Sequence, residues 1–116
     1  MKLLAPVHGL YYLVTGLWPL VDIDSFQAVT GAKTDLWLVK TVGLLIAVIG
    51  ADLLVSGRRA TLTAEVVVLA AGSALALGAV DVIYAARGVI SKVYLLDAPI
   101  EAALVAAWLF LWIRGK

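Results

Sequence analysis

Apolar residues gather into four long stretches along the chain: Leu3 to Val21, Leu36 to Val55, Leu62 to Ala86 and Ala98 to Ile113. Most of the charged residues fall between them. A helix crossing the hydrocarbon of a bilayer needs roughly 20 residues, with a range of about 17 to 25. The first three stretches meet that length, and the fourth meets it once its polar flanks are counted. The pattern predicts an all-α fold, a polytopic integral membrane protein with four transmembrane helices in an up-and-down bundle, as a single domain over residues 1–116. VDIDSFQAVTGAKTD (21–35) is the only long connection. SGRRATLT (56–63) is a short turn, and RGVISKVYLLDAP (87–99) joins the last two spans. No internal repeat is evident, which argues against an inverted-repeat transporter within one chain.

Composition agrees with that pattern. Hydrophobic residues make up 64% of the chain and charged residues 15%, with a mean hydropathy of +1.06, far from the profile of a soluble domain. So little chain lies outside the bilayer that function is expected within the bundle, in its short loops, or on a partner. The absence of cysteine excludes disulfides, thiolate chemistry, iron–sulfur clusters and thiolate metal sites. A formal net charge of +1 makes no case for nucleic acid as a partner. The start, MKLLAPVHGLYYLVTGLWPL, is basic, but His8, Tyr11 and Tyr12 interrupt its apolar run and no small-residue cleavage pattern follows, so it reads as the first span.

Lysine and arginine in the flanks set the orientation. Lys2, Arg58, Arg59, Arg114 and Lys116 fall on one side, against Lys33, Arg87 and Lys92 on the other, with Lys40 counted as intramembrane. The positive-inside rule then puts both termini in the cytoplasm, with 21–35 and 87–99 outside. Trp18, Trp37, Tyr94 and Trp112 sit at span ends, where interfacial aromatics belong. Gly43, Ala47 and Gly50 recur at helical spacing on the second span, as do Gly72, Ala76 and Ala79 on the third. Small residues so spaced let backbones approach closely, so a close contact between spans two and three is expected.

Candidate chemistry lies in the charges within the spans. Asp81 sits more than a turn before the outer end of span three, Glu101 about one turn into span four, and Lys40 about one turn into span two, so a bundle would bring all three to one depth. A lone charge at mid-membrane costs about 2.5 to 3.5 kcal/mol on insertion scales, which obliges these groups to face each other or water. Asp97, Glu101, Trp108 and Trp112 share one stripe of span four, and Ser73, Asp81 and Tyr84 fall near one stripe of span three. One ammonium against two carboxylates leaves a net negative charge, most simply relieved by a proton kept on one carboxyl. Two readings of Asp81 follow. Either the acids pair with Lys40 to fix helix register, or they line an outward-facing polar pocket, with Asp81, Glu101, Lys40 and Tyr84 as catalytic candidates and Trp37, Ser73, Asp97 and Trp108 as ligand-binding ones. No metal site is assigned. A weaker inner layer holds His8, Asp52 and Glu65. There Asp52 reads as a partner of Arg58 and Arg59, and His8 as a packed, hydrogen-bonded side chain.

The stretches GLYYLVTGLWPL and FQAVTGAKTDLWLVKTVGLLIAVIGADLL resemble small bacterial four-helix membrane proteins of the DoxX-like kind. The resemblance covers about the first half of the chain and implies a four-helix bundle in a bacterial cytoplasmic membrane, with little chemistry attached. In architecture alone the chain is similar to the emopamil-binding and sigma-2 receptor superfamily, whose enzymes protonate a sterol double bond. No residue carries over from it. The small multidrug resistance transporters match in length and span count, but their essential glutamate lies in the first span, which here has His8 and no acid.

Three functions are compatible with these residues. One is a cofactor-independent enzyme that applies general acid–base catalysis to a small lipophilic ligand by isomerisation, cyclisation or epoxide opening. A second is a proton-coupled transporter, which implies a homodimer because four short helices enclose little volume. The third is an accessory subunit whose charges only set helix packing. Residues 66 to 80 carry Ser73 as their only polar side chain, which favours a blind pocket over a transmembrane path.

Overall fold

The computed structural model describes residues 3–31, 33–58 and 63–114. Every regular element among them is helical: α1 (Leu4–Val21), α2 (Ile23–Thr30), α3 (Leu36–Ser56), α4 (Ala64–Ala86) and α5 (Tyr94–Arg114). α1, α3, α4 and α5 are each long and apolar enough to cross a membrane. The expected start of the third span at Leu62 lies outside the described residues, as do the flanking charges Lys2, Arg59 and Lys116. The chain divides into two compact units, one built by α1 to α3 and the other by α4 and α5.

In the first unit α1 and α3 pack antiparallel, with Gly9 against Gly50 and Gly16 against Gly43. The contact is backbone on backbone. A Cβ on Gly50 would lie 2.5 Å from the Gly9 carbonyl oxygen, and one on Gly9 would lie 2.7 Å from that of Gly50. Gly16 and Gly43 face each other in the same reciprocal way. Each helix spaces its two glycines seven residues apart, close to two full turns, so both contacts fall on one stripe. In lipid no hydrophobic gain draws helices together, and van der Waals packing with weak Cα–H···O contacts takes its place. Ala5, His8, Tyr12 and Pro19 complete the buried stripe of α1, and Ala47 and Leu53 that of α3. His8 is wholly buried, with its ring edge-on to Tyr12 at 4.2 Å between centroids.

This packing corrects the expected pairing of small residues. The Gly43, Ala47 and Gly50 stripe is occupied by α1, where the third span had been expected. On α4 the buried small residues are Ala70, Ala74 and Ala85, while Gly72, Ala76 and Ala79 are exposed, and a Cβ on Gly72 would meet nothing within 4 Å.

The long connection also contains a helix that hydropathy does not show. Asp22 caps α2 by accepting from the Ser25 backbone N–H at 3.2 Å, a satisfied helix-start donor. Trp18 anchors α2 to the end of α1: its indole N–H donates to Ser25 Oγ at 2.8 Å, and its ring meets Phe26 edge-on at 5.4 Å. Gly31, at φ +99°, turns the chain out of α2 through a conformation that costs glycine little. The Lys33 ammonium then donates to the Thr30 and Gly31 carbonyls at 3.0 and 3.2 Å.

In the second unit Thr63 caps α4 by accepting from the Val66 N–H at 3.3 Å. The other end of α4 closes in a Schellman turn: Gly88 takes φ +73°, its N–H donates to the Ala85 carbonyl, and the Val89 N–H donates to the Tyr84 carbonyl. α5 begins at Tyr94, four residues before the apolar run that starts at Ala98. Pro99 therefore lies inside the helix rather than at its edge. It removes only the bond that would have closed on the Leu95 carbonyl, a tolerable loss near a helix start. The early start adds Asp97 to the helix, one turn before Glu101.

Gly16→Ala and Gly50→Ala are each predicted to lower thermal stability in detergent, by about 1 to 3 kcal/mol as overpacking typically costs. Gly72→Ala should be neutral or slightly stabilising, because its Cβ meets no neighbour. Equal effects at all three positions would show that the reciprocal glycine contacts do not hold α1 to α3.

Candidate functional site

The α4–α5 hairpin is antiparallel, and one contact fixes its register. A Cβ on Gly78 would lie 3.2 Å from the Glu101 Cβ, so the α4 backbone presses directly on the residue that carries the acid. On α5 the inward stripe runs through Glu101, Leu104 and Trp108, at the i, i+3, i+7 spacing of a single helix face. On α4 it runs through Val67, Ala70, Ala74, Asp81 and Ala85. Small residues on α4 thus oppose larger ones on α5, which leaves room for carboxyl side chains between the two helices.

Three acids meet there. Asp81 from α4 and Asp97 and Glu101 from α5 each bring a carboxylate oxygen to within 4.8 Å of the others. The Asp81 and Asp97 side chains are within hydrogen-bonding reach of each other. Asp81 is 5% exposed and Glu101 is 1% exposed, while Asp97 is half-buried at the open end of the group. Asp81 Oδ2 is buried and has no hydrogen-bond partner among the described residues. A buried carboxyl oxygen without a partner costs free energy, on the order of 1 to 3 kcal/mol or more where it is charged. Two carboxylates at 4.8 Å repel by roughly 3.5 kcal/mol at an effective dielectric near 20. A positive charge or a proton among these oxygens would relieve that repulsion. Three hard carboxylate oxygens suit either a proton or an oxygen-seeking cation, and nothing in the cluster offers the soft ligands of a zinc or copper site.

Asp81, Asp97 and Glu101 are thus gathered from the residues singled out in the sequence. Trp108 lies on the same α5 face, fully buried, two turns beyond Glu101. Tyr84 is one turn from Asp81 but 40% exposed, and its carbonyl accepts the N–H groups of Val89 and Ile90 in the turn that ends α4. Ser73 is two turns back along α4, where its hydroxyl donates to the Ala70 carbonyl at 3.2 Å. Lys40 and Trp37 lie on α3 in the other unit, and both are exposed. Within the second unit, the three acids come from α4 and α5. Asp97, singled out as a ligand-binding residue, belongs among the acids. Gly78 was missed, although a glycine three residues before an aspartate in an alanine-rich span is the signal that marks it.

No protein-family model, characterised protein or solved structure matches the chain.

Crowding of the acids gives a direct prediction. In chelator-treated protein at pH 8, Asp81→Asn and Asp97→Asn should each raise thermal stability, because each removes one member of a repelling group while keeping its shape. The double variant should gain less than the two single gains combined, with a coupling of about 0.5 to 3 kcal/mol typical of residues in contact. A loss of stability in both single variants would mean that the carboxylates act as structural glue.

Proposed function

We propose that this chain is a four-span integral membrane protein, of a bacterial cytoplasmic membrane, that performs general acid–base chemistry on a small lipophilic substrate with the carboxyls of Asp81, Asp97 and Glu101. The observation that carries this reading is the meeting of those three oxygens within 4.8 Å on two apolar helices, with Asp81 and Glu101 almost wholly buried. Ionisable side chains inside a membrane span are costly to keep, and where they persist they commonly mark a site. A proton held among crowded acids is available for donation, and the oxygen that gives it up can then act as base. Isomerisation, cyclisation and epoxide opening each need only such a donor and acceptor.

The residues fall into a simple division of labour. Asp81 and Glu101, the buried pair, hold and transfer the proton. Asp97, half-buried at the edge of the group, links them to the outside and restores the proton after turnover. Trp108, on the Glu101 face of α5, supplies an apolar wall. Tyr84, one turn from Asp81, is placed to steady charge that develops on the substrate. Both termini lie in the cytoplasm in this reading, with Ser91 and the acid end of the hairpin on the outer side.

Two measurements test it. Infrared difference spectra of the metal-free protein should show a protonated-carboxyl stretch at neutral pH that is lost in Glu101→Gln or Asp81→Asn, whereas fully ionised carboxylates would remove the acid reading. Single cysteines at Ser25 and Ser91 should react with an impermeant thiol reagent on intact cells, while one at the exposed Arg58 should not. The opposite labelling pattern would put the acids at the cytoplasmic face.

A further inference from the structure

The same three oxygens have the geometry of a metal site. Oxygens that share a hard divalent ion at about 2.1 to 2.5 Å lie between about 3 and 5 Å from one another, depending on whether they are adjacent or opposite. The donors of Asp81, Asp97 and Glu101 lie within 4.8 Å of each other, inside that window. Acidic residues that merely crowd one another at a surface do not bury their carboxyls. Here Glu101 is 1% exposed, Asp81 is 5% exposed, and Asp81 Oδ2 lies buried without a hydrogen-bond partner among the described residues. That oxygen is a buried potential ligand atom on the apolar stretch of α4. The half-buried Asp97 leaves one side of the group open, as an ion that enters with part of its water shell requires.

We propose that Asp81, Asp97 and Glu101 bind one hard divalent cation, of the magnesium, manganese or calcium class, between α4 and α5. The ion would take one oxygen from α4 and two from successive turns of α5, and so lock the register that the Gly78–Glu101 contact sets. Magnesium and manganese would keep several waters on the open side, and a metal-bound water is more acidic than bulk water. The inference rests on the same acid group as the proposed function but not on its chemistry, since the ion occupies the ionised group and the proton the metal-free one.

Manganese provides the probe. Full-length protein, stripped with chelator and held in nanodiscs of zwitterionic lipid, is titrated with Mn²⁺ while the electron paramagnetic resonance signal of the free ion is followed. One ion per chain should bind, and excess Mg²⁺ or Ca²⁺ should displace it. Glu101→Gln and Asp97→Asn should each weaken binding at least tenfold, while Glu65→Gln, on an exposed residue in the first turn of α4, should leave it unchanged. If either amide variant fails to fold, Glu101→Asp replaces it: it keeps the charge, withdraws the carboxyl by one methylene, and should also weaken binding. No loss of free signal at millimolar Mn²⁺, or equal binding in wild type and the acid variants, would overturn the site. Absence of binding together with a protonated-carboxyl band would leave the acid–base reading standing alone. Binding without that band would leave only the metal.

Discussion

Electrostatic crowding governs the α4–α5 unit. Three carboxyls share a space less than 5 Å across, on helices that are otherwise nearly free of polar side chains. Repulsion between ionised members, together with an unsatisfied oxygen on Asp81, is a cost that packing alone does not remove. Positive charge in the midst of the group relieves that cost. A proton makes it an acid, and a divalent ion makes it a metal centre; either outcome follows from the same arrangement. The close approach of Gly78 to Glu101 sets the acid-bearing residue directly against the α4 backbone, with no side chain on Gly78 between them.

The α1–α3 pair solves the contrasting problem of holding two apolar helices together without charge. Its solution is reciprocal glycine contact at two levels, with backbone on backbone and an alanine between. Both units use small residues, for different ends. In α1 and α3 they form the contact itself, whereas in α4 they clear the space that the acids occupy. An acid pair placed on the α1–α3 seam would find no room.

Much of this was legible in the sequence, for physical reasons that can be named. Apolar length located α1, α3 and α4 to within about two residues at every described boundary, because each apolar run is bounded by charged or turn-forming residues that end it. The start of α5 was missed because Pro99 and Asp97 look like loop residues, while a proline near a helix start removes only one bond. Hydropathy does not show α2 because a mixed helix of eight residues makes no long apolar run, although Asp22 with Ser25 three residues on is a cap signal. The glycine stripe of α3 was recognised, but its partner was not. Gly9 and Gly16 repeat the same seven-residue spacing on α1, and that repeat is the sequence signal for the partner. Among site residues, helical spacing on span four placed Asp97 with Glu101, and depth placed Asp81 beside them. The orphaned oxygen of Asp81 had no counterpart in sequence, because it depends on which side chains fail to reach it.

The central claim is that Asp81, Asp97 and Glu101 meet between α4 and α5 and share a positive charge. Solid-state nuclear magnetic resonance of the protein in bilayers, with ¹³C confined to aspartate and glutamate carboxyls, tests both parts at once. Through-space cross-peaks should link the Asp81, Asp97 and Glu101 carboxyl carbons, with at least one of the three resonating as a protonated or ion-bound group. Three unlinked resonances at ordinary carboxylate positions would contradict it.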